Sequence, residues 1–392
     1  MTAAAGQAWE SAANLLCVRL DALGDVLMTT PAIRALKEGR PDRRVSLLTS
    51  PAGAGIARLV PEIDEVIVYE APWMKATPPR AGIEAEQEMI GRLRAGAFDA
   101  AAIFTVYSQN PLPAAFLCYL AGIPRRLAHG HENPYQLLTD WVPDPEPARF
   151  VRHEVRRQLD LVAAVGARPE DERMSLAVPP AAAARARAKL AATGLDPSAR
   201  FVVFHPGASA PSRRYPSEGF AQAARDLVAL HECAVVFTGG AGEAELVREI
   251  QDGMDAPSFS LVGDLSLAEF AALLRLAPVL VSNNTGPVHI AAAVGTPVVD
   301  IYALTNPQHT PWLTRHRVLY HDVPCRYCYK SVCPQGHHDC LRLIAPAAVV
   351  AAAVELLDGA APGAGASLPQ IEIPAEATRT IETPVPAPEA RP

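Results

Sequence analysis

Short apolar runs alternate with helical patterns along the first half of this 392-residue chain. Four runs have the length of buried strands: residues 15–20, 45–49, 65–69 and 100–104. Residues 26–37 and 84–95, which lie between these runs, have the residue pattern of helices. This alternation predicts an open, mostly parallel sheet with helices on both faces, which places this half in the α/β class.

The same alternation resumes after residue 200. Apolar runs at residues 201–204, 234–237 and 277–281 each lead into a turn of small polar residues. Residues 288–294 have the pattern of a buried helix that ends at Gly295. A second parallel sheet is therefore expected.

Breaks in this pattern divide the chain into five parts. They are an N-terminal extension (1–13), an N-terminal domain (14–178), a linker helix (179–199), a C-terminal domain (200–357) and a tail (358–392). The tail is rich in Ala, Pro, Glu and Thr without periodicity. Such a segment buries too little apolar surface to offset its ordering entropy, so we expect it to be disordered.

Composition narrows the class of protein. Hydrophobic residues make up 49% and charged residues 20%, which is typical of a soluble globular protein. The net charge of −7 argues against general nucleic-acid binding. We expect no transmembrane helix, because no apolar run approaches 18 residues, and no signal peptide, because residues 1–10 lack its basic and apolar regions. A cytoplasmic protein with reduced cysteines is predicted.

Residues 281–294 combine a strand, a small polar turn and a helix. Such a junction aims backbone N–H groups and the positive end of a helix dipole at one point, which suits a phosphate. Asn284 and Thr285 can add side-chain hydrogen bonds, Gly286 permits close approach, and His289 lies one turn into the helix. The alternative is an ordinary helix cap with a histidine in the core.

Two more turns of this kind follow predicted strands in the same half. The first contains Gly207, Ser209 and Arg213, and the second is glycine-rich and contains Thr238, Gly239, Gly240 and Glu243. The carboxyl ends of parallel strands meet at one edge of a sheet. Together the three turns predict one nucleotide-sized site.

Gly24 and Asp25 follow the first predicted strand, at the place where ligands bind in such sheets. Asp25 can act there as a general base, or it can merely cap the following helix. Trp73, Lys75 and Arg80 lie in a Pro-rich loop that we expect to line the acceptor side of a cleft.

Four cysteines lie within sixteen residues: Cys325, Cys328, Cys333 and Cys340. This density predicts a structural metal, most simply zinc, with iron as the alternative. Their spacing matches no common zinc-finger pattern, so a loop held by packing alone stays open.

The assembled motifs resemble glycosyltransferase family 9, the heptosyltransferases of lipopolysaccharide core assembly, over residues 14–357. The resemblance rests on four segments: residues 19–32, residues 205–209 with 213–216, residues 238–243, and residues 284–289. It implies a GT-B fold, in which two Rossmann-like domains face each other across a cleft. The N-terminal domain would bind the acceptor and the C-terminal domain an ADP-sugar, with no cofactor needed for catalysis.

By position, the resemblance implies that Asp25 is the general base. It places Ser209 and Arg213 at the donor phosphates, Glu243 near the ribose and Leu265 near the base. It also assigns a diphosphate turn to Thr285, Gly286 and His289.

Two positions depart from the pattern of that family. Arg213 stands where a lysine is common, which keeps the charge but changes the hydrogen-bonding geometry. Asn284 stands where aspartate is frequent, which removes a charge and adds an N–H donor. The second departure leaves the donor sugar open.

The function predicted is inverting transfer of a heptose, or a related sugar, from an ADP-sugar to a lipopolysaccharide core or similar glycan. If the acceptor is lipid-linked, peripheral contact with the inner membrane is expected. Three alternatives remain: a transferase of the same fold that modifies a protein or another glycan, a nucleotide-sugar 2-epimerase, and a catalytically silent nucleotide-binding scaffold.

Overall fold

The computed structural model describes residues 9–75, 77–196 and 198–359. Residues 1–8 of the predicted extension, and the predicted disordered tail from residue 360 onward, lie outside the described residues. The described chain forms two six-stranded sheets with helices packed against them. None of the described helices combines the length and hydropathy needed to span a bilayer.

The first sheet is wholly parallel, in the order β3-β2-β1-β4-β5-β6. Its strands are β1 Asn14–Arg19, β2 Arg44–Thr49, β3 Glu65–Val68, β4 Ala100–Ile103, β5 Arg125–Gly130 and β6 Asp140–Pro143. Its helices are α1 Leu23–Glu38, α2 Pro51–Ala57, α3 Glu84–Ala95, α4 Leu112–Leu120 and α5 Glu154–Ala163.

The second sheet is also parallel and has the equivalent order β9-β8-β7-β10-β11-β12. Its strands are β7 Phe201–His205, β8 Ala234–Phe237, β9 Phe259–Ser260, β10 Leu280–Asn283, β11 Val298–Ile301 and β12 His316–Leu319. The helices of this half are α6 Pro180–Ala192, α7 Ser217–His231, α8 Ala244–Met254, α9 Leu267–Leu276, α10 Gly286–Val294, α11 Asp339–Arg342 and α12 Pro346–Leu357.

Strand order reverses between β1 and β4 in the first sheet and between β7 and β10 in the second. At such a reversal the loops leave in opposite directions and open a crevice beyond the carboxyl ends of the strands. The central strands are apolar throughout because helices cover both faces, and Leu15 to Val18 are at most 1% exposed. The α/β class and the GT-B fold expected from the sequence are confirmed.

Some predicted boundaries were wrong for identifiable reasons. The helix expected from residue 26 begins at Leu23, because Asp25 accepts a hydrogen bond from the Ala22 N–H at 3.3 Å and closes the first turn. The strand expected at 277–281 is β10 Leu280–Asn283, because the Ala277 N–H still bonds to Leu273 at the end of α9. Within the region predicted as a linker, α6 packs on α9, where Arg185 and Lys189 bind Glu269.

The two halves meet through α5 and the segment after β11. The Glu154 N–H donates to the Gln308 carbonyl at 3.0 Å, and His153 Nε2 donates to the Thr310 carbonyl at 2.9 Å. The Trp312 indole donates to the Glu172 carbonyl at 2.7 Å. These contacts hold the N-terminal ends of α1 and α10 against each other.

Candidate active site

A buried arginine organises the acidic residues at the end of β1. Arg19 is completely buried, and its guanidinium lies 2.9 Å from Asp21, 3.1 Å from Asp25 and 2.8 Å from Glu154. A buried cation without partners would be strongly unfavourable, so these carboxylates are required for its burial. Sequence reasoning missed the roles of Arg19 and Glu154; the available signal was a single charge at the end of an apolar strand.

Asp25 both closes the first turn of α1 and presents a carboxylate at the crevice. One oxygen accepts from Arg19 at 3.1 Å and the other from the Ala22 N–H at 3.3 Å, while 20% of the side chain stays exposed. Burial raises the pKa of Asp25; the negative Glu154 raises it further and Arg19 opposes both. A fixed carboxylate with a raised pKa is suited to accept a proton.

The N-terminal ends of α1 and α10 touch directly. A Cβ added to Gly24 would lie 2.8 Å from His289, and one added to Gly286 would lie 2.3 Å from Leu23. Burial lowers the pKa of His289 to about 3, with smaller contributions from His153 and Arg213. His289 is therefore a neutral imidazole against Gly24, the residue before Asp25, and its Nδ1 has no hydrogen-bond partner within the described chain.

The three predicted anion-binding turns come together beyond adjacent strands β10, β7 and β8. Gly207 lies under Glu243, since a Cβ there would meet the carboxylate at 1.7 Å. Glu243 also accepts from the Gly240 N–H at 2.7 Å, and Asn283 Nδ2 donates to the Pro206 carbonyl at 2.7 Å. The turns thus form one continuous surface at the second crevice.

Several predicted donor contacts have structural roles in these turns. Thr238 is buried and donates to the Phe204 carbonyl at 3.2 Å, and Thr285 Oγ1 donates to the Asn283 carbonyl at 3.3 Å. Leu265 packs against the apolar core. Two further predicted residues lie on the turns themselves. Ser209 is exposed, and a Cβ added to Gly239 would lie 3.0 Å from Glu243.

Arg213 is a half-buried cation at the end of a 3₁₀ turn, Pro211–Arg213. In the part of the chain that the structure describes, its guanidinium forms no ion pair within 4.0 Å. The preceding Ser212 is anchored to the cysteine-bearing loop, with its N–H on the Ser331 carbonyl at 3.0 Å and its hydroxyl on the Lys330 carbonyl at 2.7 Å. A held cation without a carboxylate partner can bind an anion.

Asn284 is held by a buried carboxylate. Its Nδ2 donates to Asp300 at 2.9 Å and to the His309 carbonyl at 2.8 Å. Asp300 is completely buried, and burial raises its pKa. Both amide hydrogens are used, so the remaining Asn284 oxygen can only accept a hydrogen bond.

The predicted acceptor-side residues separate in the structure. Lys75 reaches across to Ser331 at 3.4 Å. Trp73 instead packs edge-on against Tyr69, with ring centroids 5.8 Å apart, and Arg80 pairs with Glu86 at 3.1 Å. Trp73 and Arg80 are thus engaged within the N-terminal half.

The arrangement of the four cysteines does not support the predicted metal. Across the described ranges, no three His, Cys, Asp or Glu side chains are placed to hold a metal ion. Cys325 contacts His337 at 3.6 Å, and both Cys325 and Cys340 pack against the small apolar cluster that contains Tyr302. Cys328 and Cys333 lie in the intervening loop.

Known proteins resemble this chain over most of its length. It is 26% identical to lipopolysaccharide heptosyltransferase 2 of Salmonella typhimurium over 346 residues, covering 84% of this chain and 94% of the relative. It is 26% identical to lipopolysaccharide heptosyltransferase 3 of Escherichia coli over 297 residues, covering 74% and 82%. Among solved structures, the E. coli ADP-heptose lipopolysaccharide heptosyltransferase II matches with a TM-score of 0.69 at 24% identity, covering 88% of this chain and 99% of that one.

The family model supports the same assignment. The model of glycosyltransferase family 9 (heptosyltransferase) matches residues 87–338, which is well over half of the chain. The fold, the geometry at both crevices and this match agree: the chain is a glycosyltransferase and belongs to glycosyltransferase family 9.

Proposed function

We propose that this enzyme transfers a heptose from ADP-heptose to a hydroxyl of a lipopolysaccharide core or similar glycan, with inversion at the anomeric carbon. The observation that carries the proposal is the Asp25 carboxylate, held by Arg19 at 3.1 Å opposite the N-terminal end of α10. The heptose, ADP and lipopolysaccharide are taken from the names of the relatives.

Asp25 acts in this proposal as the general base. It takes the proton of the acceptor hydroxyl while that oxygen forms a bond to the anomeric carbon of the donor. The bond between the anomeric carbon and the diphosphate oxygen breaks, and its electron pair leaves with ADP. Because attack comes from the face opposite the leaving group, the configuration inverts.

The C-terminal half stabilises the departing diphosphate. Arg213 supplies a positive charge, and the backbone N–H groups at Thr285 and Gly286 begin α10. Such donors are most effective when they are already in place and need no reorganisation as charge develops. The anchoring of Ser212 to the Lys330 and Ser331 carbonyls holds Arg213 in position.

Replacement of Asp25 by asparagine tests the mechanism. We expect Asp25→Asn to lower kcat by about 10²–10⁴-fold, the usual contribution of a general base, with ADP affinity unchanged. Asp42→Asn is the matched control, because Asp42 forms an exposed ion pair with Arg40 at 2.8 Å. Near-normal turnover by Asp25→Asn would remove Asp25 from the mechanism. A wild-type protein that leaves ADP-heptose intact with every glycan tried would contradict the function itself.

A further inference from the structure

A cavity of about 160 Å³ lies in the N-terminal half, beyond the carboxyl ends of β4 and β5. It is lined by residues 107–112 and 130–132. The reversal of strand order between β1 and β4 opens the sheet at this place. None of the lining residues belongs to the motifs that identified the family.

Hydrogen bonds connect this cavity to the candidate base. The side-chain amide of Gln109, in the cavity wall, donates to Asp21 at 2.6 Å. Asp21 in turn lies 2.9 Å from the Arg19 guanidinium, which holds Asp25 at 3.1 Å. The wall of the cavity is therefore linked through Gln109 to the acidic group that contains Asp25.

The polar groups of the cavity suit sugar hydroxyls. Asn110 Nδ2 donates to one oxygen of Glu132 at 3.2 Å. The other Glu132 oxygen and the Gln109 side-chain oxygen have no hydrogen-bond partner among the described residues, so both can accept from a ligand. Tyr107 adds apolar surface against which the C–H face of a sugar ring can pack.

The charges of the cavity disfavour an anion. Among the described residues that line it there is no lysine or arginine, while Glu132 contributes a carboxylate. The one histidine of this lining, His131, directs its Nε2 at the Tyr107 carbonyl, 3.0 Å away, and lies 3.7 Å from Asp144. The N-terminal end of α4 offers little compensation, because Pro111 and Pro113 have no N–H and the Leu112 N–H is already bonded to Asn110 at 2.9 Å. A carboxylate or phosphate placed here would be repelled by the Glu132 carboxylate.

We propose that this cavity binds an uncharged sugar ring of the acceptor and selects it over sugars that carry a carboxylate or a phosphate. The proposal rests on the glycosyl transfer argued above, since it assigns the acceptor half of the same cleft. Glu132 and Gln109 are the residues that determine this selectivity.

Ligand-observed NMR on the ADP-bound protein tests the cavity without requiring turnover. The probes are a methyl heptoside and its 7-carboxylate analogue, which differ only at C7, a hydroxymethyl group in the first and a carboxylate in the second. We expect the wild type to bind the heptoside at least about tenfold more tightly, the size of effect that one or two hydrogen bonds and a repelled charge produce.

Three variants test the assignment of residues. We expect Glu132→Gln to narrow the difference between the two probes, Glu132→Lys to reverse it, and Gln109→Ala to weaken heptoside binding about tenfold. Glu132 is exposed, so its substitution should leave folding intact, and a folding defect would not explain such changes. Gln222→Ala is the control, because Gln222 lies on α7, where its side chain forms hydrogen bonds with Asp226 and Arg225.

Equal binding of both probes, or heptoside binding that is unaffected by the Glu132 variants, would overturn the proposal. The loss of kcat in Asp25→Asn is measured separately. Failure of the cavity assignment therefore leaves the proposed reaction standing, and failure of the reaction leaves the binding result interpretable.

Discussion

The imidazole of His289 lies directly against the backbone of Gly24. A Cβ built on Gly24 would be 2.8 Å from Cδ2 of His289, closer than real Cβ contacts. Gly24 belongs to α1 and His289 to α10, so the missing side chain permits the two helix ends to meet across the cleft. This contact sets the distance between Asp25 and the turn at Thr285.

Substitution of Gly24 by alanine should disturb both halves of the site. The added methyl must displace His289 or separate the two helix ends, and overpacking of this kind costs about 1–3 kcal/mol. We expect Gly24→Ala to lower the free energy of unfolding by that amount in a urea titration and to weaken ADP binding in calorimetry.

The control for this substitution is Gly91→Ala. Gly91 lies inside α3, and an added Cβ there would have no neighbour within 4 Å. Gly91→Ala should raise the free energy of unfolding by about 0.5–1 kcal/mol, because alanine loses less backbone entropy than glycine when it enters a helix. Equal behaviour of the two variants would show that Gly24 does not set the helix contact.

Arg213 should carry much of the affinity for the nucleotide diphosphate. Its guanidinium has no ion-pair partner in the described segments, so its charge is available to the ligand. Loss of a charged hydrogen bond costs about 1.5–3 kcal/mol, so we expect Arg213→Ala to weaken ADP binding by about 10–100-fold in calorimetry. Arg213→Lys should lose less affinity for ADP than Arg213→Ala, since lysine keeps the charge but not the planar donor pair.

The control for Arg213 is Arg225→Ala, which removes a guanidinium paired with Asp226 on the exposed side of α7. An Arg213→Ala variant with wild-type affinity for ADP would contradict the assignment of the donor site.

Glu154 should shift the pH dependence of catalysis. Asp25 can accept a proton only when it is ionised, and its pKa is raised above the ordinary value of 3.8. The acid limb of kcat/KM should therefore lie above pH 3.8 in the wild type, and activity should fall as the pH drops through the raised pKa. Glu154 contributes to that rise through its negative charge, so Glu154→Gln should lower the pKa and move the acid limb to lower pH.

The measurement is the pH profile of kcat/KM for both proteins. The control is Glu355→Gln, which removes an equal charge from the ion pair that Glu355 on α12 forms with Arg317. An acid limb that stays in place in Glu154→Gln would show that another group titrates there.

The contributions of Asn284 and Asp300 to the free energy of unfolding should depend on each other. Asn284→Asp would place a second buried carboxylate about where the amide now donates to Asp300 at 2.9 Å. We expect the free energy of unfolding at pH 7 to fall by about 3 kcal/mol, because a buried charge would lose its hydrogen-bond donor.

Exchange of both residues, Asn284→Asp with Asp300→Asn, should recover part of this loss, because an amide would again donate to a carboxylate. The His309 carbonyl would still lack the donor that it has at 2.8 Å, so recovery should be incomplete. Additive effects of the two substitutions in urea titrations would contradict the coupling.

The predictions that the structure confirmed came from local patterns in the sequence. The apolar runs with intervening helical repeats predicted two parallel sheets, because strand and helix periods are properties of neighbouring residues. Small polar turns after strands predicted the positions of Gly207, Glu243 and Thr285, because every strand of a parallel sheet ends at the same edge. The motif at residues 19–32 likewise placed Asp25 at the first crevice.

The sequence by itself determined the α/β class, the family motifs and the chemistry available at each turn, because these depend on residues close together in the chain. Only the tertiary structure decided which charges share a buried space: Arg19 with Glu154, which are 135 positions apart, and Asn284 with Asp300. It also showed that, within the described chain, no three His, Cys, Asp or Glu side chains are placed to hold a metal ion. Burial and pairing depend on how separate elements pack, and neither periodicity nor spacing contains that information.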